Sequence, residues 1–134
     1  MRRLATPRTP ERPWLVVLAA LAPFGVLLAA CVGPNPSCAA LPTEIELRLS
    51  ADSLTPGSPQ ACRGADVTLV IHSQVDGVFH IHGYDDLAPA TTVTAGATTD
   101  LAFTASRSGQ FPIELHPHDD PAGVSVGLLT VHEP

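Results

Sequence analysis

The sequence predicts an all-β fold, a two-sheet sandwich of about seven short strands. Three observations predict it. Beyond residue 43, apolar and polar residues alternate at period two in one segment after another, and no sustained helical period occurs. Clusters of Gly, Pro, Ser and Asp punctuate those segments at short intervals. Residues 44–134 amount to about ninety positions, enough for one modest core and no second domain.

The elements follow in order. Glu44 to Ser50 places Ile45, Leu47 and Leu49 on one side and Glu46 and Arg48 on the other, a half-buried strand. Ala51 to Ala65 is rich in Pro, Gly and Ser and reads as a loop. Asp66 to Ser73, DVTLVIHS, is apolar and β-branched, a core strand. After a turn at Gln74 to Gly77, Val78 to Gly83 is a short strand carrying HIH. Tyr84 to Ala90 is a loop containing Pro89, and Thr91 to Ala95 is a short strand closed by Gly96. Thr98 to Ala105 turns Leu101 and Phe103 inward, and Gln110 to His116 does the same with Phe111, Ile113 and Leu115. Pro117 to Gly123 is a polar loop, and Val124 to His132 is the last strand.

The first thirty residues do not share this pattern. Arg2, Arg3, Arg8 and Arg12 precede an apolar run from Trp14 to Ala30 that ends Leu28-Ala29-Ala30-Cys31. A charged leader, an apolar stretch and small residues before a cleavage point describe an export signal. The last four residues resemble the lipobox of bacterial lipoproteins. That resemblance implies a thioether-linked diacylglyceryl group on Cys31, a signal peptide over residues 1–30, and a proline-containing tether over residues 31–43. The expected location is the membrane, through the lipid, on its periplasmic or extracellular face. An uncleaved membrane anchor is the alternative, but the run is at the short end for spanning, and Pro23 and Gly25 interrupt it. Arg2-Arg3 alone hints at the twin-arginine route.

Charge narrows the partners. The chain has no lysine, and beyond the leader only Arg48, Arg63 and Arg107 face twelve carboxylates. Such a surface repels phosphate backbones, which argues against nucleic acid, and is compatible with cations. Cysteine usage fits export. With Cys31 lipidated, Cys38 and Cys62 remain as an even pair in an oxidising compartment and are expected to form a disulfide. Closing a loop of that size is worth roughly 3 kcal/mol. Two free thiols binding a metal are the sharper alternative.

From Asp66 onward the order of elements resembles the cupredoxin fold. It is carried by Arg63-Gly64-Ala65-Asp66 before a strand, then His80 on the next, then Val93-x-x-Gly96 before Leu101-x-Phe103. Ser108-Gly109-Gln110-Phe111 and the closing Gly127-Leu128-Leu129-Thr130-Val131 complete it. The resemblance implies a Greek-key sandwich. In plastocyanin-like members the copper takes a histidine from an earlier strand, and a cysteine, a second histidine and usually a methionine around the loop before the last strand. On that pattern His80 matches the first histidine, His118 the second, and Leu115 stands where the cysteine should be. The only methionine is Met1. A blue centre depends on a copper–thiolate bond, so the resemblance lends the shell and not the electron-transfer role. The chain is more similar still to bacterial cupredoxin-like proteins with an HxHGYD signature and a later lone histidine, here His80, His82, Gly83, Tyr84, Asp85 and His116. That group lends no established activity.

The histidines suggest a different metal site. His80 and His82 lie two apart on a strand and share a face. His116 ends the strand expected beside them, with His118 two beyond. Three imidazoles at one end of a sandwich suit copper(II), and zinc accepts the same set with an open position. Asp76, Asp85 and Glu114 are candidate acceptors that would orient the rings. Without a metal, the same histidines read as core-edge residues bonded to one another and to Tyr84 or Asp85. His72 and His132 read as ordinary strand-surface residues, and His116-Pro117-His118-Asp119-Asp120 as a solvated acidic turn.

The function expected is extracytoplasmic copper(II) binding, for delivery or sequestration, by a monomer and without catalysis. A metal-free binding or adhesion module is the alternative. A copper–zinc superoxide dismutase is the enzyme rival, since Phe79-His80-Ile81-His82 and Leu129-Thr130-Val131-His132-Glu133 resemble its copper strands. Only about fifty residues separate them, leaving no room for that enzyme's zinc loop, and both remaining cysteines precede the first. A histidine-brace copper site needs an N-terminal histidine, which lipidation at Cys31 excludes.

Overall fold

A computed structural model describes residues 37–118 and 122–134. The expected signal peptide, the expected lipobox with Cys31, and Asp119 and Asp120 lie outside the described residues. Among those described, no helix is long and apolar enough to cross a membrane.

Among the described residues nine strands form two sheets. They are β1 (Glu44–Leu49), β2 (Leu54–Thr55), β3 (Gln60–Cys62), β4 (Asp66–Ser73), β5 (Gly77–Ile81), β6 (Thr91–Val93), β7 (Thr98–Thr104), β8 (Gly109–His116) and β9 (Val124–His132). A four-stranded sheet runs β2-β1-β4-β7, and a five-stranded sheet runs β3-β9-β8-β5-β6. The expected count of about seven is therefore corrected to nine. The additions, β2 and β3, lie inside the segment expected to be a loop. They are two and three residues long, too short to show a period. Each exists because a longer strand offers it an edge: Leu54 pairs with Leu49, and Gln60 to Cys62 pair with Thr130 to His132.

Alternation decides the layers. Along β1 every second residue is buried, and the parallel register sets Ile45 beside Leu69 and Leu47 beside Ile71. β7 continues the same face with Leu101 opposite Leu69 and Phe103 opposite Val67. The second sheet answers with Phe79, Ile81, Ile113, Leu115, Leu129 and Val131, all 3% exposed or less. One contiguous core lies between the sheets. Residues out of step with these face outward.

Ahead of β1 the described residues carry a 3-10 turn at Cys38–Ala40. Cys38 is joined to Cys62 by a disulfide, with Cα atoms 5.5 Å apart. Its position at the end of β3 sets Cys62 beside His132, at the end of β9. That corner is also tied by Glu133, which accepts hydrogen bonds from Arg63 and Ser108.

Candidate metal centre

β5 and β8 are neighbours and antiparallel, with Phe79 opposite Leu115 and His80 opposite Glu114. Phe79 and Leu115 fill the core, so His80 and Glu114 face outward as a directly opposed pair. His116, two residues beyond Glu114, shares that outer face. It is the diagonal neighbour of His80, within reach of a long side chain. The His80 and His116 ring centroids are 5.7 Å apart. One donor atom each from His80, Glu114 and His116 lies within 4.8 Å of the others. Nε2 of His116 is 3.4 Å from a Glu114 carboxylate oxygen.

A register shift on β9 occurs at this point. Ile113 pairs with Gly127 and Glu114 with Ser125, so Val126 is the extra residue. Such a bulge twists the strand locally and re-aims side chains, and here it sits under Glu114.

Two loops cover the group in part. The loop after β8 returns over His116 at Gly123, whose φ is +71°. A Cβ there would lie 2.6 Å from Cε1 and 2.7 Å from Nδ1 of His116, so only glycine leaves room for the imidazole. On the other side, Asp85 bonds to Nε2 of His80 and accepts a hydrogen bond from the Gly83 amide at 3.2 Å. The His80 bond holds the Asp85 carboxyl below its ordinary range. Tyr84 fastens this loop from beneath. Its fully buried hydroxyl donates to the Arg107 carbonyl at 2.5 Å and accepts from the Arg107 amide at 3.0 Å. Side-chain exposures of 18% for His80 and 29% for Glu114 leave these two reachable from solvent, whereas Nε2 of His116 is buried although its side chain is 28% exposed.

The structure thus unites His80 and His116 and adds Glu114, which sequence reasoning had cast as an orienting acceptor. The signal was present: Glu114 precedes His116 by two on one strand and must share its face. His82 falls outside the donor group because β5 ends at Ile81, and the chain turns at Gly83 with φ +85°. Its ring is 5.6 Å from that of His80, edge on. His118 is exposed in the turn after β8 and is not in the group either. Of the other acceptors, Asp85 is at His80, whereas Asp76 binds the Ala95 amide at 3.0 Å.

Leu115, matched by sequence to the copper cysteine, is 1% exposed and lies in the core, on the face of β8 opposite to His116, and its side chain offers no donor. His72 binds Thr98 and Glu46, and His132 binds Gln60, as strand-surface residues do. His132 lies seven residues along β9 from Ser125, about 23 Å at 3.3 Å per residue. It therefore cannot share an ion with His80, as the superoxide dismutase reading requires.

A scan against family models finds no match, and a search of curated proteins finds none. Solved structures do match. A copper-binding protein in its apo form, solved by NMR, is 14% identical with a TM-score of 0.51, over 66% of this chain and 86% of that one. The metal-binding domain of a Cu(I)-exporting P-type ATPase from Streptococcus pneumoniae is 14% identical, TM-score 0.54, over 67% and 85%. Dithionite-reduced auracyanin from Roseiflexus castenholzii is 18% identical, TM-score 0.51, over 69% and 98%. These likenesses establish the fold: the sandwich is cupredoxin-like.

Proposed function

We propose that this cupredoxin-like domain binds copper(II) through His80, Glu114 and His116, outside the cytoplasm, for delivery or sequestration rather than electron transfer. The observation that carries the reading is the convergence of two imidazoles and a carboxylate within 4.8 Å on one sheet face. Nitrogen and oxygen donors of this kind suit copper(II). Copper-binding proteins among the structural neighbours support the choice of metal. Zinc accepts similar donors but has no such support. The lipobox resemblance at Leu28 to Cys31 supports attachment to a membrane through lipid on Cys31. Replacing Cys31 by Ala should then release the protein from the membrane fraction or leave the precursor uncleaved.

Copper(II) titration of the purified protein against a competing chelator tests the metal reading. One ion should bind, and His80→Ala, Glu114→Ala or His116→Ala should each cost at least about tenfold in affinity, the lower range seen for outer-sphere losses. His72→Ala and His132→Ala should cost little. Equal affinity after His116→Ala would refute the site.

A second reading has one observation in its favour. Asp85 already satisfies His80 without a metal. On that basis the domain is a metal-free binding module, and the titration above would show no specific uptake.

A further inference from the structure

We infer that the site distinguishes the two oxidation states of copper, holding copper(II) and releasing copper(I) when the ion is reduced. The inference rests on the copper reading above and names how the cargo leaves.

The donor set contains no sulfur. His80 and His116 offer ring nitrogens, and Glu114 offers an anionic oxygen. The only methionine in the chain is Met1, far from this segment in sequence. Cys38 and Cys62 are locked together in a disulfide. Cys62 pairs with His132, the far end of β9 from Ser125 and Glu114. No sulfur donor among the described residues is therefore within reach of the group. Copper(II) is well matched by imidazole and carboxylate, whereas copper(I) prefers thiolate and thioether. Charge acts in the same direction. Glu114 in the group and Asp85 on His80 favour the dication over the monocation.

Access completes the argument. His80 and Glu114 are partly exposed, whereas Nε2 of His116 is buried, so a small reductant and a partner approach the ion from the His80 and Glu114 side. The step balances simply. A one-electron donor of the ascorbate class gives its electron to copper(II), which becomes copper(I). The bonds from copper to the two nitrogens and the Glu114 oxygen break, and each electron pair stays on its donor. The copper(I) passes to an acceptor that supplies sulfur ligands. The partner class is thus a protein or peptide with thiolate or thioether donors.

The test uses the full-length protein loaded with one equivalent of copper(II), with loading read by electron paramagnetic resonance. Ascorbate is then added without oxygen, in the presence of graded amounts of bicinchoninate as copper(I) acceptor. Copper should leave the wild-type protein on reduction. Glu114→Met, which supplies a thioether on the same face, should retain copper(I) against at least about tenfold more chelator. Glu114→Gln, which keeps the shape and loses the charge, should narrow the preference for copper(II). Absence of a copper(II) signal before reduction would remove the copper reading and this inference with it. Full loading followed by copper(I) retention as tight as that of Glu114→Met would remove the release step alone.

Discussion

Glu114 and Leu115 are adjacent, and their side chains lie on opposite faces of β8. Glu114 is opposite His80 on the outer face, while Leu115 is opposite Phe79 in the core. A step of one residue along β8 therefore exchanges the outer face for the interior. The consequence is visible as colour. Copper-loaded wild-type protein should lack an intense visible charge-transfer band, because no thiolate faces His80. Glu114→Cys should introduce such a band on copper loading, since it places sulfur beside both imidazoles. Leu115→Cys should leave the spectrum as it is. Visible absorption of the three loaded proteins checks this, and an intense band from Leu115→Cys alone would mean that β8 is rotated from its present register.

At the scale of elements, two turns hold the site and one corner holds the sheets. Gly123 has both a left-handed backbone and an imidazole where its side chain would be. Gly123→Ala should cost about 1–2 kcal/mol from backbone strain and should also displace His116. Gly64, at φ +90° with open space around its Cβ position, separates the two effects. Gly64→Ala should lower stability similarly and leave copper affinity unchanged, whereas Gly123→Ala should weaken affinity about tenfold or more. Chemical denaturation and chelator competition on both variants decide it. The corner is pH-dependent. The Ser108 hydrogen bond, and then Arg63, hold the Glu133 carboxyl below its ordinary 4.5. The folded state thus favours the charged form, so this contribution is fully present above the ordinary value and is lost as pH falls through the lowered one. Unfolding free energies of wild type and Glu133→Gln should therefore differ by a constant amount above about pH 5 and converge below 4.5.

At the scale of the molecule, the candidate metal group and the disulfide lie at opposite ends of β9. Glu114 lies beside Ser125, and Cys62 beside His132. Sites this far apart with no shared partner act independently. The disulfide closes a loop with a sequence separation of 24, for which chain entropy predicts about 3 kcal/mol. Cys62→Ser should therefore lower the unfolding free energy by about that amount and leave copper affinity unchanged. Thermal unfolding and copper titration of the variant measure both, and a matching loss of copper affinity would show that the two ends are coupled.

Period-two alternation and the turn residues between segments were enough to locate seven of the nine strands described, because burial of one sheet face constrains every second residue locally. The expected export signal left Cys38 and Cys62 as an even pair, and strand position put His80 and His116 among the candidate site residues. Leu115 at the position matched to the copper cysteine, and the absence of a methionine beyond Met1, already argued against a blue centre. Pairing was beyond the reach of alternation. β2 and β3 exist only because β1 and β9 present edges to them. The choice of Glu114 over His82 as third donor depends on where β5 ends and on which residue of β8 stands across from His80. The room for His116 depends on a glycine from the following loop. These are properties of register and loop return, set by contacts between residues distant in sequence, and only the packed sandwich determines them.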